Sequence, residues 1–175
     1  MTALRAPLLT ALGMTLLTAC ATPPEAPATA RSTLVLEEFF PGRTTGEGVF
    51  VNAWSGARRP FEVTIDGTWD GRTLTLVEDF VFADGERDRK TWTFVRTAPG
   101  VYSGTREDVV GTARAWTDGK VVRLEYTVKL GGWNVDFSDV LALESPETVL
   151  NTATVGKWML RVGRVELRLR RAPAS

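Results

Sequence analysis

Apolar side chains recur at every second position through most of this chain, and that spacing restricts it to strands with one buried face. Phe61, Val63, Ile65 and Trp69 alternate with Glu62, Thr64, Asp66 and Thr68, as in a strand with one face in a core and the other in water. The alternation returns in Leu74, Leu76, Phe80 and Phe82, in Val122, Leu124, Tyr126, Val128 and Leu130, and in Val165, Leu167 and Leu169. Between the runs stand Asp70-Gly71, Asp84-Gly85, Pro99-Gly100, Asp118-Gly119 and Gly131-Gly132, pairs that supply the positive φ tight hairpins need. No stretch carries a convincing helical stripe. The expected fold is all-β, an antiparallel meander of about eight to ten strands. Consecutive hairpins without a long return connection favour closure into an up-and-down barrel over a sandwich, and closure also removes exposed edges.

The N-terminus has a different character. Residues 1–19 read as an export signal, with Arg5 in a short basic region and an uncharged apolar run from Ala6 to Ala19. That run falls short of the about 20 apolar residues that a membrane-crossing helix needs. It ends in Leu17-Thr18-Ala19-Cys20, which resembles the bacterial lipobox, whose Cys accepts a diacylglycerol. Acyl chains such as palmitate on Cys20 would anchor the protein, each buried methylene contributing about 0.8 kcal/mol. Ala21 in the following position is similar to lipoproteins released to the outer membrane, so the expected location is the outer membrane, facing the periplasm. Residues 20–32 form the lipidated Cys and an Ala/Thr/Pro tether, in which Pro23, Pro24 and Pro27 bias the backbone toward extended geometry. Residues 33–171 form a single barrel domain, of ordinary size, and 172–175 a tail.

Composition narrows the chemistry. With His 0, imidazole-based triads and the usual zinc and haem ligand sets are unavailable. One Cys allows no internal disulfide and no Cys-rich metal cage. Lys+Arg 21 balances Asp+Glu 21, which argues against a nucleic-acid partner. Neither a cofactor nor a metal is expected. Asp84-Gly85-Glu86-Arg87-Asp88 has alternating acids, but Arg89 and Val95 stand where an EF-hand needs Gly and Glu. A charged hairpin turn is the expectation there.

Four residues are candidates for a polar ligand or structural site. Glu78 is in phase with Leu74, Leu76, Phe80 and Phe82, which places a carboxylate on the apolar face, where it needs a partner and where its pKa rises. Structural alternatives are an ion pair with Arg106 or Lys90, or a bulge turning Glu78 outward. Tyr102, Gly104, Arg106 and Asp108 share one face of the next polar segment. They could orient a polar head group or transfer protons, but the preference of charges for water favours a solvated or structural face. The six Trp are expected in the core or lining the barrel. No residue is assigned a catalytic role.

Phe40-Pro41-Gly42, Gly46-Glu47-Gly48, Phe61, Ile65-Asp66-Gly67, Leu74 through Glu78-Asp79-Phe80, Asp84-Gly85, Trp92, Tyr102-Ser103-Gly104, Asp108 through Ala113, Lys157 and Val162-Gly163 occur in this order. As a series they resemble the bacterial lipoprotein family catalogued as domain of unknown function 3833. Gly67-Thr68-Trp69 also resembles the short Gly-x-Trp signature of lipocalin barrels, which implies that the meander closes into a lipocalin-like barrel. The family has no established activity, so the resemblance implies an exported lipoprotein and no catalytic residue. Ser138 and Val140 stand where the family pattern suggests Asp and Trp, and Thr152 where it suggests Arg. Glu78 and Asp108 fit the pattern. The expected function is binding of a lipid or other apolar small molecule inside the barrel. The alternatives are an envelope scaffold for a protein partner and, less favoured, an acid/base enzyme using Glu78 or Asp108.

Overall fold

The computed structural model describes residues 22–158 and 160–173, so the signal, Cys20 and Ala21 lie outside the described residues. Ten strands follow one another: β1 (Gly42–Asn52), β2 (Arg58–Trp69), β3 (Thr73–Phe82), β4 (Arg87–Ala98), β5 (Val101–Thr105), β6 (Ala113–Asp118), β7 (Val121–Leu130), β8 (Trp133–Ser145), β9 (Thr148–Lys157) and β10 (Leu160–Arg171). Each pairs antiparallel with the next, and β10 returns to β1, giving a closed barrel. The period-two pattern sets the faces: Phe61, Val63 and Ile65 are buried inside while Glu62 and Asp66 are exposed. The anticipated turn glycines Gly71, Gly85, Gly100, Gly119, Gly131 and Gly132 all have positive φ.

Because strand direction alternates, the turns divide between two ends. The β2–β3, β4–β5, β6–β7 and β8–β9 turns share one end, and the other five connections share the opposite end. The first end is closed by a helical turn, α1 (Leu36–Phe39), which the sequence reading missed because a single turn has no measurable period. Leu34, Leu36, Phe39 and Phe40 are buried in the main core. Phe40 lies so close to β2 that a side chain at Gly67 would collide with the Phe40 carbonyl. Arg171 donates to the Glu38 carbonyl at 2.6 Å and stacks 5.5 Å over the Phe39 ring, and the Leu34 N–H donates to the Lys120 carbonyl. Thus the Gly67-x-Trp69 segment helps to seat a plug.

The residues preceding α1 run along the outside wall. Arg31 N–H donates to the Leu143 carbonyl, Arg123 donates to the Pro24 carbonyl at 3.2 Å, and the Thr154 hydroxyl donates to the Thr22 carbonyl at 3.3 Å. Ala30 covers a small outer cluster of Val121, Val140 and Ala142. The segment read as a spacer therefore contacts the barrel as far as Thr22. Val140, one of the departures from the family pattern, belongs to this outer cluster and not to the interior.

Candidate functional site

Inside the barrel is a cavity of about 500 Å³. Leu36 and Phe40 form its floor, Ile65, Leu76, Phe94, Leu124 and Leu141 its lower walls, and Phe50, Phe82, Leu130 and Val162 its upper edge. Leu130 lines the cavity and is also exposed to solvent, so the cavity opens at the end opposite the plug.

A polar cluster interrupts the apolar walls. It begins with Glu78 on β3, which the alternation turns inward opposite Ile65 and Lys90. The partner it approaches is Arg106, at 4.0 Å. Lys90 instead pairs with Asp88 at 3.1 Å and Asp108 at 3.6 Å. Arg106 follows the end of β5 and donates to Asp108 at 2.7 Å. Its guanidinium lies 4.6 Å from the Trp92 ring centroid and 5.3 Å from that of Tyr126, aromatic faces that hold a desolvated cation well. On the far wall the Tyr126 hydroxyl and the Asn151 amide approach the same Asp139 carboxyl oxygen, at 3.5 and 3.4 Å. The second Asp139 oxygen and the Asn151 carbonyl oxygen are buried without a hydrogen-bond partner.

Burial dominates the electrostatics. Desolvation raises the Glu78 pKa from 4.5 to about 7, against the attraction of Arg106 and with help from Asp139, Asp108 and Glu107. Desolvation likewise raises Asp139 to about 7, opposed by Asn151, Arg106 and Tyr126. The Tyr126 hydroxyl is pushed far up by burial and by Asp139, and so stays protonated. Arg106 stays charged: burial acts against it, but Tyr126, Glu78 and Asp108 more than compensate. At neutral pH the cavity therefore offers a fixed cation and two carboxyls poised between donor and acceptor.

Of the four sequence candidates, Glu78, Arg106 and Asp108 come together in the cavity. The solvated reading of the segment is corrected: pairing on both sides of β5 turns Tyr102 and Gly104 inward, and Arg106 and Asp108, in the connection just beyond it, line the cavity. Tyr102, however, is at the plugged end, away from the cluster. Its hydroxyl donates to the Glu37 carboxylate, which Arg96 also holds at 2.8 Å. Burial would raise the Glu37 pKa, but hydrogen bonds from Tyr102, its own backbone and Arg96 bring it below its usual value. The same burial and the Glu37 charge push Tyr102 up. Tyr102 thus locks the plug. Tyr102→Phe should cost about 2 kcal/mol in urea unfolding and leave the pH dependence of the cavity carboxyls unchanged; a loss below about 0.5 kcal/mol would remove this bond from the account.

Sequence reasoning missed Asp139, Asn151 and Tyr126 as site residues. The signal was faint: Phe137, Asp139 and Leu141, and Val149, Asn151, Ala153 and Val155, are period-two runs with a polar residue in phase, but both are short and mixed. The expectation for tryptophan also needs correction. Trp92 lines the cavity, but Trp54, Trp133 and Trp158 are exposed because they sit in hairpin turns or at a strand end beside one, where no second layer covers them.

Several solved structures share this architecture. The S-type phycobiliprotein lyase CPES from Guillardia theta superposes with a TM-score of 0.59 at 9% identity, covering 81% of this chain and 95% of that one. A protein of unknown function of the DUF3598 family from Nostoc punctiforme gives a TM-score of 0.61 at 13% identity, covering 84% of this chain and 52% of that one. At such identities the likeness is one of fold. No curated protein matches the chain in sequence. The profile of a family described as a protein of unknown function, DUF3833, matches residues 14–171, and the chain belongs to that family.

Proposed function

We propose that this chain is an exported bacterial lipoprotein, held by acyl groups on Cys20 at the outer membrane and facing the periplasm, whose barrel binds a lipid or other amphipathic small molecule. The observation that carries the binding reading is the open cavity of about 500 Å³, a size typical of small-molecule sites, with a few polar groups set into apolar walls. The apolar walls suit an alkyl or ring body. The cluster of Arg106, Glu78, Asp108 and Asp139 suits a head group that both donates and accepts hydrogen bonds. The anchor reading rests on the Leu17-Thr18-Ala19-Cys20 sequence.

One preparation tests both parts. The full chain, produced in a Gram-negative envelope and extracted in mild detergent, is weighed intact under denaturing and native conditions. The expected denatured mass lacks residues 1–19 and carries diacylglycerol and acyl groups that Cys20→Ser lacks. The expected native mass carries a stoichiometric non-covalent adduct, identified after organic extraction. An unmodified Cys20 would overturn the anchor, and an empty barrel in every preparation would overturn the binding reading.

A further inference from the structure

Every large apolar side chain that is exposed among the described residues lies at one end of the barrel. Trp54 is 75% exposed, Val110 45%, Leu130 63%, Trp133 55%, Trp158 75% and Leu160 54%. They lie in the β1–β2, β5–β6, β7–β8 and β9–β10 connections or at the strand ends that flank them, all at the open end. Since β7, β8, β9, β10 and β1 are successive neighbours round the wall, the patch is continuous along one side of the mouth. It is also continuous with the cavity through Leu130.

The patch is built and not incidental. Trp133 and Trp158 meet edge to face at 6.0 Å, although they belong to different hairpins. Lys157 Nζ sits 3.2 Å from the Trp133 ring centroid and 4.5 Å from that of Trp158. Trp158 has φ of 50°, a conformation a bulky residue rarely adopts, and the β9–β10 turn holds it there. Asn52 accepts the Trp54 and Ser55 N–H groups at 2.9 and 3.0 Å, fixing the turn that projects Trp54. Lys129 and Arg161 flank the aromatics, while the acids of the β3–β4 hairpin, Asp84 and Glu86, are paired with Arg59.

The path of the N-terminal segment supplies the occupant. From Leu34 at the plugged end it climbs the outer wall to Thr22, which is bonded to Thr154 on β9. Thr154 lies about 10 Å below the β9–β10 turn at about 3.3 Å per residue. Cys20 stands two positions before Thr22, so its α-carbon is within about 7 Å of it along the chain. An anchor at Cys20 therefore reaches a bilayer on the same side as the tryptophan rim.

We propose that the open end of the barrel lies against the lipid bilayer, with Trp54, Trp133, Trp158, Leu130 and Leu160 in the interfacial layer and Lys129, Lys157 and Arg161 against lipid phosphates. Tryptophan with flanking cations suits that layer. The geometry puts the mouth of the cavity on the membrane, so an amphipathic ligand passes between bilayer and barrel without crossing water. The orientation uses the Cys20 anchor of the proposed function for its direction, while the identity of the ligand does not enter it.

The test uses the acylated full chain in phosphatidylethanolamine–phosphatidylglycerol vesicles, with and without bromine on the lipid acyl chains. Flotation with the vesicles first establishes the anchor, so a failed anchor is recognised separately. Brominated lipid is expected to remove roughly half of the tryptophan emission, since the exposed Trp54, Trp133 and Trp158 are half of the six and would lie in the interface. The Trp54→Phe/Trp133→Phe/Trp158→Phe variant should keep its melting temperature and lose most of this quenching. Emission from the anchored wild type that is unaffected by bromine overturns the proposal. So does a rim-dependent dimer in light scattering, which would make a second copy the occupant.

Discussion

A Glu78→Gln/Asp139→Asn variant is expected to resist urea better than the wild type at pH 8 and about equally at about pH 3.5, below the ordinary range of both carboxyls. Both carboxyls have folded pKa values raised to about 7, from 4.5 and 3.8. A raised carboxyl binds its proton more tightly in the folded state, so stability is highest below the unfolded value and falls as pH rises toward the folded one. The window is therefore about pH 4 to 7. Above it the wild type holds ionised carboxylates inside an apolar barrel, a cost that the neutral amides avoid. Each pKa unit is worth about 1.4 kcal/mol, so the two rises together set an upper bound of about 8 kcal/mol; part of the Glu78 rise is repulsion from Asp139, and the pair titrates as a unit, so a net gain of at least about 3 kcal/mol at pH 8 is expected. Chemical denaturation at the two pH values measures it. A difference of the same size at both would mean that the effect is packing and not ionisation.

The sign of that result bears on function. A cluster that weakens the empty barrel at neutral pH contributes little to holding the fold, and a bound head group that donates to Glu78 and Asp139 would recover part of the cost. The stabilised variant should accordingly retain less of any co-purifying adduct. Greater stability with full occupancy would move the ligand contact to Arg106 and the apolar walls.

Much of this was legible in the sequence because a meander barrel is specified locally. Alternation assigned the faces of β2, β3, β7 and β10, and Asp-Gly and Gly-Gly pairs placed several of the turns. Glu78 was legible because one charge broke an apolar row. Asp139 was not, because its row is short and mixed, and its neighbours Tyr126 and Asn151 come from other strands, brought close by the pairing of β7, β8 and β9. Tyr102 and Arg106 looked equivalent at period two, but height along the barrel separates them, and height depends on where β5 ends. The plug had no pattern at all: a four-residue helix is held by tertiary contacts, and only Phe39-Phe40 hinted at it. The tryptophan rim was read as core because composition reports residue type and not whether a turn projects it outward.

The plug also sets the second large effect, in Gly67→Ala. A Cβ at Gly67 would stand 2.0 Å from the Phe40 carbonyl oxygen and 2.8 Å from its carbon. Both are main-chain atoms, so relief requires moving α1 or bending β2 where it pairs with Gly42 and Leu76. Overpacking of this kind costs about 3 kcal/mol, and the cheaper response is for the plug to lift, since α1 is a single turn while β2 is bonded on both sides. Lifting it withdraws Leu36 and Phe40 from the floor of the cavity and strains the Glu37 bonds to Tyr102 and Arg96. Gly104→Ala provides the comparison, because the nearest atoms its Cβ would meet are side-chain atoms, of the Phe94 ring and the Ala113 methyl group, which can shift within the core. Gly67→Ala should therefore lose more stability than Gly104→Ala and should speed hydrogen exchange at the Phe39 and Phe40 amides, which are bonded in α1. Unchanged protection there, with the stability loss present, would show that β2 yields and not the plug, and that the floor of the cavity is fixed more firmly than a single helical turn implies.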